Sequence, residues 1–202
     1  MPNLDYFNHF FCQAQETISN IQQSDRSKIM RIIGLLFEVW KKNRQIFVIG
    51  NGGSASTATH FASDLVKTVV EKPGGRGIKA ISLVDNIPLT SALINDWGKE
   101  SLFVEQLRTF FNLGDMVVVF SVHGGAGQDK DGAWSQNILK AIQYAKDNQG
   151  KTVGFAGFNG GAMKDLCDEC IVVPADSTPI VESIHVLLTH FITFKLKEMI
   201  NE

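Results

Sequence analysis

Residues 45–65 read QIFVIGNGGSASTATHFASDL, and this stretch decides the fold class of the chain. It opens with a short apolar run that is typical of a strand buried on both faces. A glycine-rich turn follows, and a helical pattern begins directly after the turn. A strand that runs through a tight turn into a helix is the first half of a βαβ unit. The stretch therefore predicts an α/β protein with parallel strands.

The rest of the chain repeats this alternation. After the strand at 45–49, further β-branched runs lie at 78–84, 115–120, 151–156 and 170–174. Helical patterns occupy 3–22, 26–42, 54–69, 87–97, 100–112, 133–148, 161–167 and 179–199. This order predicts one domain over residues 1–202, a doubly wound sandwich of about five parallel strands with helices on both faces. The first helix has a broad apolar surface, so we expect residues 1–43 to contribute to oligomerisation.

Composition disfavours several classes of protein. The net charge is −2 and no run of five or six like charges occurs, so we expect no direct contact with nucleic acid or an anionic membrane. The sequence shows no long apolar span and no signal-peptide pattern at its start, which predicts a soluble, cytoplasmic protein. The chain has three cysteines. Cys167 and Cys170 have no second pair to complete a zinc site, so we interpret them as structural thiols.

The glycine-rich turn is a candidate site for an anion. It does not match a P-loop or the G-x-G-x-x-G pattern, so a nucleotide site is not indicated. Gly52 and Gly53 would let the backbone approach a ligand closely, and Ser54 could cap the helix, whose first N–H groups favour an oxyanion. Ser121 ends another strand and Ser135 lies near a second helix start, which makes a phosphate-sized site more plausible. An ordinary tight turn would explain the glycines equally well.

Two helices carry ionisable residues that can converge. His60 and Asp64 are four residues apart and share one helix face. Glu182 and His190 lie on one side of the last helix, in mostly apolar surroundings that also include His185. Two histidines and two carboxylates can bind a divalent metal such as zinc, or can serve as an acid–base set. A simple ion pair within the first helix, and buried structural histidines in the second, are the alternatives that these spacings leave open.

Four segments together resemble a known family. They are GNGGSASTATHFASDL at 50–65, the serine turn at 121, SQNILKAI at 135–142 and VESIHVLLTH at 181–190. The chain resembles the sugar isomerase (SIS) domain family, in its branch of sedoheptulose 7-phosphate (phosphoheptose) isomerases, over nearly its whole length. The resemblance implies a flavodoxin-like three-layer sandwich and a homotetramer with active sites at subunit interfaces. It also implies an isomerase that converts a ketose phosphate into an aldose phosphate.

The resemblance also implies roles for individual residues. The zinc ligands, for one Zn²⁺ per subunit, would be His60, Asp64, Glu182 and His190. Asp64 and His190 would be the acid–base pair that moves a proton through an enediolate. The phosphate would be bound by Ser54, Ser121 and Ser135, with Asn51 and Asp96 around the sugar. Gly52 and Gly53 would add the backbone of the glycine-rich turn described above.

The sequence departs from the family pattern at four places. Lys67 and Thr68 stand where the heptose isomerases carry an arginine. Asp64 is one methylene shorter than the family's glutamate. Glu182 replaces a glutamine, and its added negative charge should favour retention of a metal. The compact S-T-S-G-N-S loop of the family is replaced by SVHGGAGQDKDGAWS at 121–135. His123 in this loop could restore a contact with the phosphate, assist proton transfer or pack, and the identity of the sugar stays open.

Two other functions use the same fold. A DiaA-like branch binds the bacterial replication initiator and acts as an assembly factor, and other SIS proteins sense a sugar phosphate without turnover. The acid, the base and the metal ligands favour the enzyme here, since a scaffold has no need to bury such groups.

Overall fold

The computed structural model describes residues 4–125 and 135–202, and its centre is a parallel sheet of five strands. The strands are β1 (Gln45–Gly50), β2 (Lys79–Ser82), β3 (Met116–Phe120), β4 (Lys151–Ala156) and β5 (Glu169–Val172). Their order in the sheet is β2-β1-β3-β4-β5. This is the flavodoxin-like order, in which the winding direction reverses between β1 and β3 and opens a crevice at their carboxyl ends. The predicted fold class is confirmed.

Helices cover both faces of this sheet. They are α1 (Leu4–Ser24), α2 (Arg26–Lys41), α3 (Gly53–Lys67), α4 (Ile87–Trp97), α5 (Val104–Phe110), α6 (Gln136–Asp147), α7 (Met163–Leu166) and α8 (Thr178–Asn201), with a short 3-10 helix at Lys99–Ser101. Alternate residues of β1 point to opposite sides, as the pleat requires. Ile46 and Val48 pack with residues of α2, α3 and α8, whereas Phe47 and Ile49 pack with residues of α5 and α6.

Three predicted elements have different boundaries in the structure. The edge strand β2 is shorter than predicted because it pairs only with β1, in register from Gln45 with Lys79. The helix expected over 100–112 begins at Val104 because the 3-10 turn precedes it. The helix expected over 161–167 is reduced to Met163–Leu166, since the glycines before it hold a positive φ that no helix uses. The predicted start of the 133–148 helix lies outside the described residues.

Helices α1 and α8 each present several apolar side chains to solvent. On α1 these are Leu4, Tyr6, Phe7, Phe11 and Ile18, and on α8 they are Leu187, Phe191 and Phe194. The α8 residues follow a helical spacing and form one exposed stripe. No helix within the described residues combines the length and hydrophobicity that crossing a membrane requires.

Candidate active site

Helices α3 and α8 lie side by side and run in the same direction. At one end Gly53 adjoins Glu182, in the middle His60 meets His190, and further along the main chain of Val69 accepts a hydrogen bond from Asn201. The matched residues keep nearly the same spacing in both helices. This parallel pairing places the ionisable residues of the two helices along one groove.

His60, Asp64 and His190 form a group of three metal-ligating side chains. Nε2 of His190 lies 3.3 Å from Nε2 of His60, and Oδ2 of Asp64 lies 3.6 Å from Nε2 of His60 and 3.9 Å from Nε2 of His190. One donor atom from each residue falls within 4.8 Å of the others. Two imidazole nitrogens this close direct lone pairs at each other unless a proton or a cation lies between them. The donor set fits a divalent metal such as zinc, which takes imidazole nitrogen and carboxylate oxygen as ordinary ligands.

The protein orients the Asp64 carboxylate toward the two histidines. Oγ1 of Thr68 donates a hydrogen bond of 2.8 Å to Oδ1 of Asp64, which leaves Oδ2 to face the imidazoles. The Asp64 side chain is 15% exposed, whereas those of His60 and His190 are 48% and 45% exposed. The carboxylate is therefore held from the protein side, and the imidazoles are open to a ligand.

Glu182 lies in the neighbouring groove and outside this group. His190 comes eight residues later in α8, so the two positions are about 12 Å apart along the helix axis at about 1.5 Å per residue. The Glu182 carboxylate packs against the first turn of α3, where a Cβ added to Gly53 would lie within contact distance of Oε1. Glu182 and His60 both line a groove of about 290 Å³. The structure thus brings together three of the four predicted ligands, and the fourth faces the adjoining groove.

Asn51 and Asn137 join the turn after β1 to the first turn of α6. Nδ2 of Asn51 donates to Oδ1 of Asn137 at 3.1 Å, and Nδ2 of Asn137 donates to Oδ1 of Asn51 at 2.9 Å. Nδ2 of Asn51 also lies 3.4 Å from Oγ of Ser135. Ser135 has a φ of 54°, a left-handed conformation that is unfavourable for a residue with a Cβ and that occurs often at functional sites. The cluster brings two predicted substrate-binding residues together.

The predicted phosphate cradle is only partly open in the single chain. Gly52 has a φ of 58° and a ψ of −128°, a conformation that essentially only glycine adopts. Gly52 and Gly53 are exposed at the start of α3. Ser54 and Ser121, in contrast, are only 3% and 7% exposed. The glycine backbone is therefore accessible, while the two serines are mostly covered.

His123 follows β3, at the carboxyl ends of the strands, as predicted. Its ring packs against a neighbouring loop. The ring centroid is 4.3 Å from that of Phe158, which follows β4. The two loops touch through their backbones as well, since the main-chain N–H of Met163 donates to the carbonyl oxygen of Gly124 at 2.9 Å. Packing thus accounts for one face of the half-buried imidazole.

Asp96 lies apart from the Asn51 cluster. It is exposed near the end of α4, and its Oδ1 accepts a hydrogen bond of 2.7 Å from Nδ2 of Asn95. In the described part of the chain, no hydrogen bond joins Asp96 to Asn51 or Ser135. The predicted role of Asp96 near the sugar is therefore not supported by a contact within one chain.

His185 is a core residue. It is fully buried against Phe120 and Phe155, and Nε2 lies 3.2 Å from the carbonyl oxygen of Ala156. Burial lowers the pKa of His185 to about 4, because the charged imidazole would lose its hydration, although the hydrogen bond with Ala156 opposes this shift. His185 is thus neutral near pH 7, which agrees with the structural alternative that the spacing left open.

Cys167 and Cys170 also belong to the core. Burial raises the pKa of both thiols, that of Cys170 to about 12. Both sulfur atoms lie close to Gly154 of β4, where a Cβ would come within 2.9 Å of Cys170 Sγ and 3.1 Å of Cys167 Sγ. Thiols of this kind are inert as nucleophiles. This matches the interpretation of the pair as structural.

Sequence reasoning gave no role to two residues that shape the site. Asn137 pairs with Asn51, and the only signal for it was its place among the polar residues that open α6. Thr68 holds the Asp64 carboxylate, and its spacing of four residues from Asp64 was a usable signal.

Residues 9–157 of the chain match the model of the SIS domain. The chain belongs to the SIS domain family. A phosphoheptose isomerase of Helicobacter pylori (strain P12) is 35% identical over 182 residues, which cover 90% of this chain and 89% of that protein. A phosphoheptose isomerase of a Nitratiruptor species is 31% identical over 195 residues, which cover 96% of this chain and 98% of that protein. These relatives confirm the expected family and the expected enzyme class, an isomerase.

A solved structure of a Francisella tularensis phosphoheptose isomerase has the same SIS fold. It superposes with a TM-score of 0.87 at 23% identity, covering 98% of this chain and 100% of that one. The matched SIS region contains His60 and Asp64, whereas Glu182 and His190 lie beyond it on α8. The candidate metal site therefore takes two of its residues from the matched SIS region and the third, His190, from the last helix.

Proposed function

We propose that this SIS domain protein interconverts the ketose and aldose forms of a sugar phosphate, with sedoheptulose 7-phosphate as the substrate. The observation that carries the proposal is the group of His60, Asp64 and His190, of which His60 lines a groove that extends to Gly53 at the start of α3. The relatives named phosphoheptose isomerase, which align over most of their own length, supply the substrate class.

Substrate binding would use the polar groups at the ends of β1 and β3. The proposed set contains Asn51, Gly52, Gly53, Ser54, Asp96, Ser121, His123 and Ser135. Binding the phosphate at one end of the sugar would fix the reacting carbons at the other end, and such positioning supplies much of the rate enhancement in enzymes. The Asn51–Asn137 pair supports this role because it holds the turn after β1 in one conformation.

Proton transfer would use Asp64 and His190. Asp64 Oδ2 would remove the proton from the carbon beside the carbonyl and return it to the neighbouring carbon after an enediolate has formed. His190 would donate a proton to the carbonyl oxygen and accept one from the adjacent hydroxyl, so that atoms and charge balance over the cycle. The hydrogen bond from Thr68 supports the assignment, since it leaves Oδ2 of the carboxylate facing the two imidazoles.

His60, Asp64 and His190 would hold one zinc ion per subunit, with Glu182 beside it, and Asp64 or His190 would move a proton only with its donor atom released from the ion. When bound, zinc would polarise the carbonyl and hydroxyl oxygens of the substrate and so stabilise the enediolate. The three donors leave room for a further ligand, as catalytic zinc sites require. We keep Glu182 in the proposal as a groove-facing carboxylate, since only three donors converge among the residues that the structure describes.

The protein would act as one SIS domain over residues 1–202, assembled into a homotetramer with active sites at subunit interfaces. The exposed aromatic residues of α1 and the exposed stripe on α8 support assembly. A second copy packed on them would remove apolar surface from water.

An isomerase assay tests the proposal. The metal content of the purified protein is measured first, and the protein is then incubated with sedoheptulose 7-phosphate. We expect formation of an aldoheptose phosphate, and a loss of at least about 10³-fold when Asp64→Ala and His190→Ala are combined, since acid–base groups contribute about 10² to 10⁴. Asp147→Ala removes an exposed carboxylate at the end of α6, away from the site and from α1, and serves as the control. Turnover that persists in the double variant would exclude this acid–base pair.

A further inference from the structure

A small cavity lies beside the Asn51 cluster. It has a volume of about 170 Å³ and is lined by Asn51, Ile94, Lys99, Leu102, Ser135, Gln136 and Asn137. A water molecule takes up about 30 Å³, whereas pockets that enclose a whole ligand begin at about 300 Å³. The cavity therefore has the size to receive one end of a ligand, and its polar side chains come from the turn after β1, the 3-10 helix and the start of α6.

Lys99 makes this cavity cationic. Among the described residues that line it, Lys99 is the only one with a charged side chain. The charges nearby are paired with one another, Lys140 with Glu100 and Arg108 with Glu105. Lys99 makes no salt bridge of 4 Å or less within the described chain, although it also lines a larger groove of about 850 Å³ with Glu100, where the hydrogen bond from Lys140 and then the charge of Lys99 lower the pKa of that carboxyl. Its exposed ammonium group can therefore reach an anion in the small cavity.

The backbone around Lys99 is held in place. Lys99 opens the 3-10 helix after Gly98, and the hydroxyl of Ser101 donates to the carbonyl oxygens of Gly98 at 2.7 Å and Leu93 at 3.2 Å. Ser101 is buried, so these bonds tie the 3-10 turn to the end of α4. The turn therefore holds the Lys99 backbone beside the cavity.

The opposite side of the glycine turn carries negative charge. The Glu182 carboxylate lies against Gly53, two residues beyond Asn51 in the chain. A phosphate on that side would meet a like charge, whereas on the Asn51 side it would meet an ammonium group. The two sides of the turn thus differ in the sign of their charge.

We propose that Lys99 binds the phosphate of the substrate in this cavity, together with Asn51 and Ser135. The ammonium group would donate to one phosphate oxygen and the Ser135 hydroxyl to another, while Asn51, whose two amide hydrogens are directed at Asn137 and Ser135, would hold the Ser135 hydroxyl in place. Lys99 would thereby select for phosphorylated sugars over neutral ones. The identity of the ligand as a sugar phosphate rests on the proposed function, but the preference of the cavity for an anion does not.

Lys99→Met tests the proposal with two probes, inorganic phosphate and sedoheptulose 7-phosphate. Titration calorimetry should show that the variant binds inorganic phosphate about tenfold more weakly, the low end of the loss expected for a charge-assisted hydrogen bond. In the isomerase assay KM should rise by about the same factor while kcat stays within about threefold, because Lys99 holds the end of the sugar that does not react. Lys99→Arg should restore most of the affinity.

Lys79→Met is the matched control, since it removes the same charge from the amino end of β2, whereas the cavity lies beside the carboxyl end of β1. Equal phosphate affinity in Lys99→Met and wild type, or an equal loss in Lys79→Met, would overturn the proposal. A wild-type protein that binds no phosphate would also overturn it. A protein that turns over no sugar phosphate, yet loses phosphate affinity with Lys99→Met, would refute the proposed function and leave this inference standing.

Discussion

Replacing Gly53 by alanine should disturb the candidate site without disturbing the fold. Gly53 begins α3, and a Cβ at this position would lie 2.3 Å from Oε1, 2.8 Å from Cδ and 2.9 Å from Oε2 of Glu182. These three nearest atoms all belong to the flexible end of one side chain. The backbone of Gly53 has no positive φ, so it does not itself require glycine.

The expected size of the effect follows from these distances. Ordinary contact begins near 3.4 Å, so the Glu182 carboxylate must move by at least about 1.1 Å. A displacement of about 1 Å can lower a rate by about 10²-fold even when the substitution lies away from the reacting atoms, and Glu182 lines the same groove as His60. We therefore expect kcat/KM to fall between tenfold and about a hundredfold, or about 1.4 to 2.7 kcal/mol of transition-state stabilisation. The free energy of unfolding should stay within about 1 kcal/mol, since alanine is the better helix former.

The assay compares steady-state kinetics and denaturant unfolding for Gly53→Ala, Glu182→Ala and the double variant. If the methyl group acts through Glu182, it should have little further effect once Glu182 is alanine, so the two changes will not be additive. Gly34→Ala on α2 is the control, because its Cβ would meet nothing within 4 Å. Full activity of Gly53→Ala would show that the position of Glu182 is irrelevant to the reaction.

Two further predictions concern stability and assembly. The pKa of His185 is about 4 in the folded protein and about 6.5 in the unfolded chain. Between these two pH values only the unfolded chain binds the proton, so the folded state loses stability as pH falls from about 6.5 toward 4. The free energy of unfolding, measured with denaturant, should fall by about 2 kcal/mol between pH 7 and pH 5. An equal fall in His185→Phe would contradict this prediction. Serine at Phe7 and Phe11, both more than half exposed on α1, should shift the protein toward smaller species in light scattering, since each covered phenyl group contributes about 1.5 to 3 kcal/mol. An unchanged mass at the same concentration would show that this surface is not part of an interface.

The fold could be predicted from the sequence because its signals are local. Each inner strand is a continuous apolar run, and each lies between helices with a clear period, so the βα alternation is visible without tertiary information. The predicted strand at 78–84 was too long, because only β1 pairs with β2 and two of the four residues of β2 are exposed. The helices that were shortened, α5 and α7, follow turns whose glycines or 3-10 geometry a periodicity test does not detect.

The site was predictable in part, for a geometric reason. His60 and Asp64 share a helix face by a spacing of four residues, which fixes both their rotation and their separation. Glu182 and His190 share a side of α8 by rotation alone, but their separation along the axis is about 12 Å. Rotation around the helix axis therefore predicted that both residues bind the metal, although only His190 lies close to His60 and Asp64. The reciprocal hydrogen bonds between Asn51 and Asn137 depend on how the turn after β1 packs against the start of α6. This packing cannot be predicted from a local sequence pattern.

The distribution of charge around the glycine turn gives the substrate a direction. Asn51 faces the cavity that holds Lys99, and Gly53 faces the Glu182 carboxylate, so the two sides are separated by no more than about 7 Å of chain. A sugar phosphate with its anionic end toward Lys99 would place its neutral, reacting end toward the groove that contains His60. In this orientation Lys99→Met should act mainly on KM and Gly53→Ala mainly on kcat. Because the two residues share no contact partner within the described chain, their effects on kcat/KM should add when combined. Strong coupling between them would mean that a single region binds both ends of the ligand, and the division of the site into two parts would then be wrong.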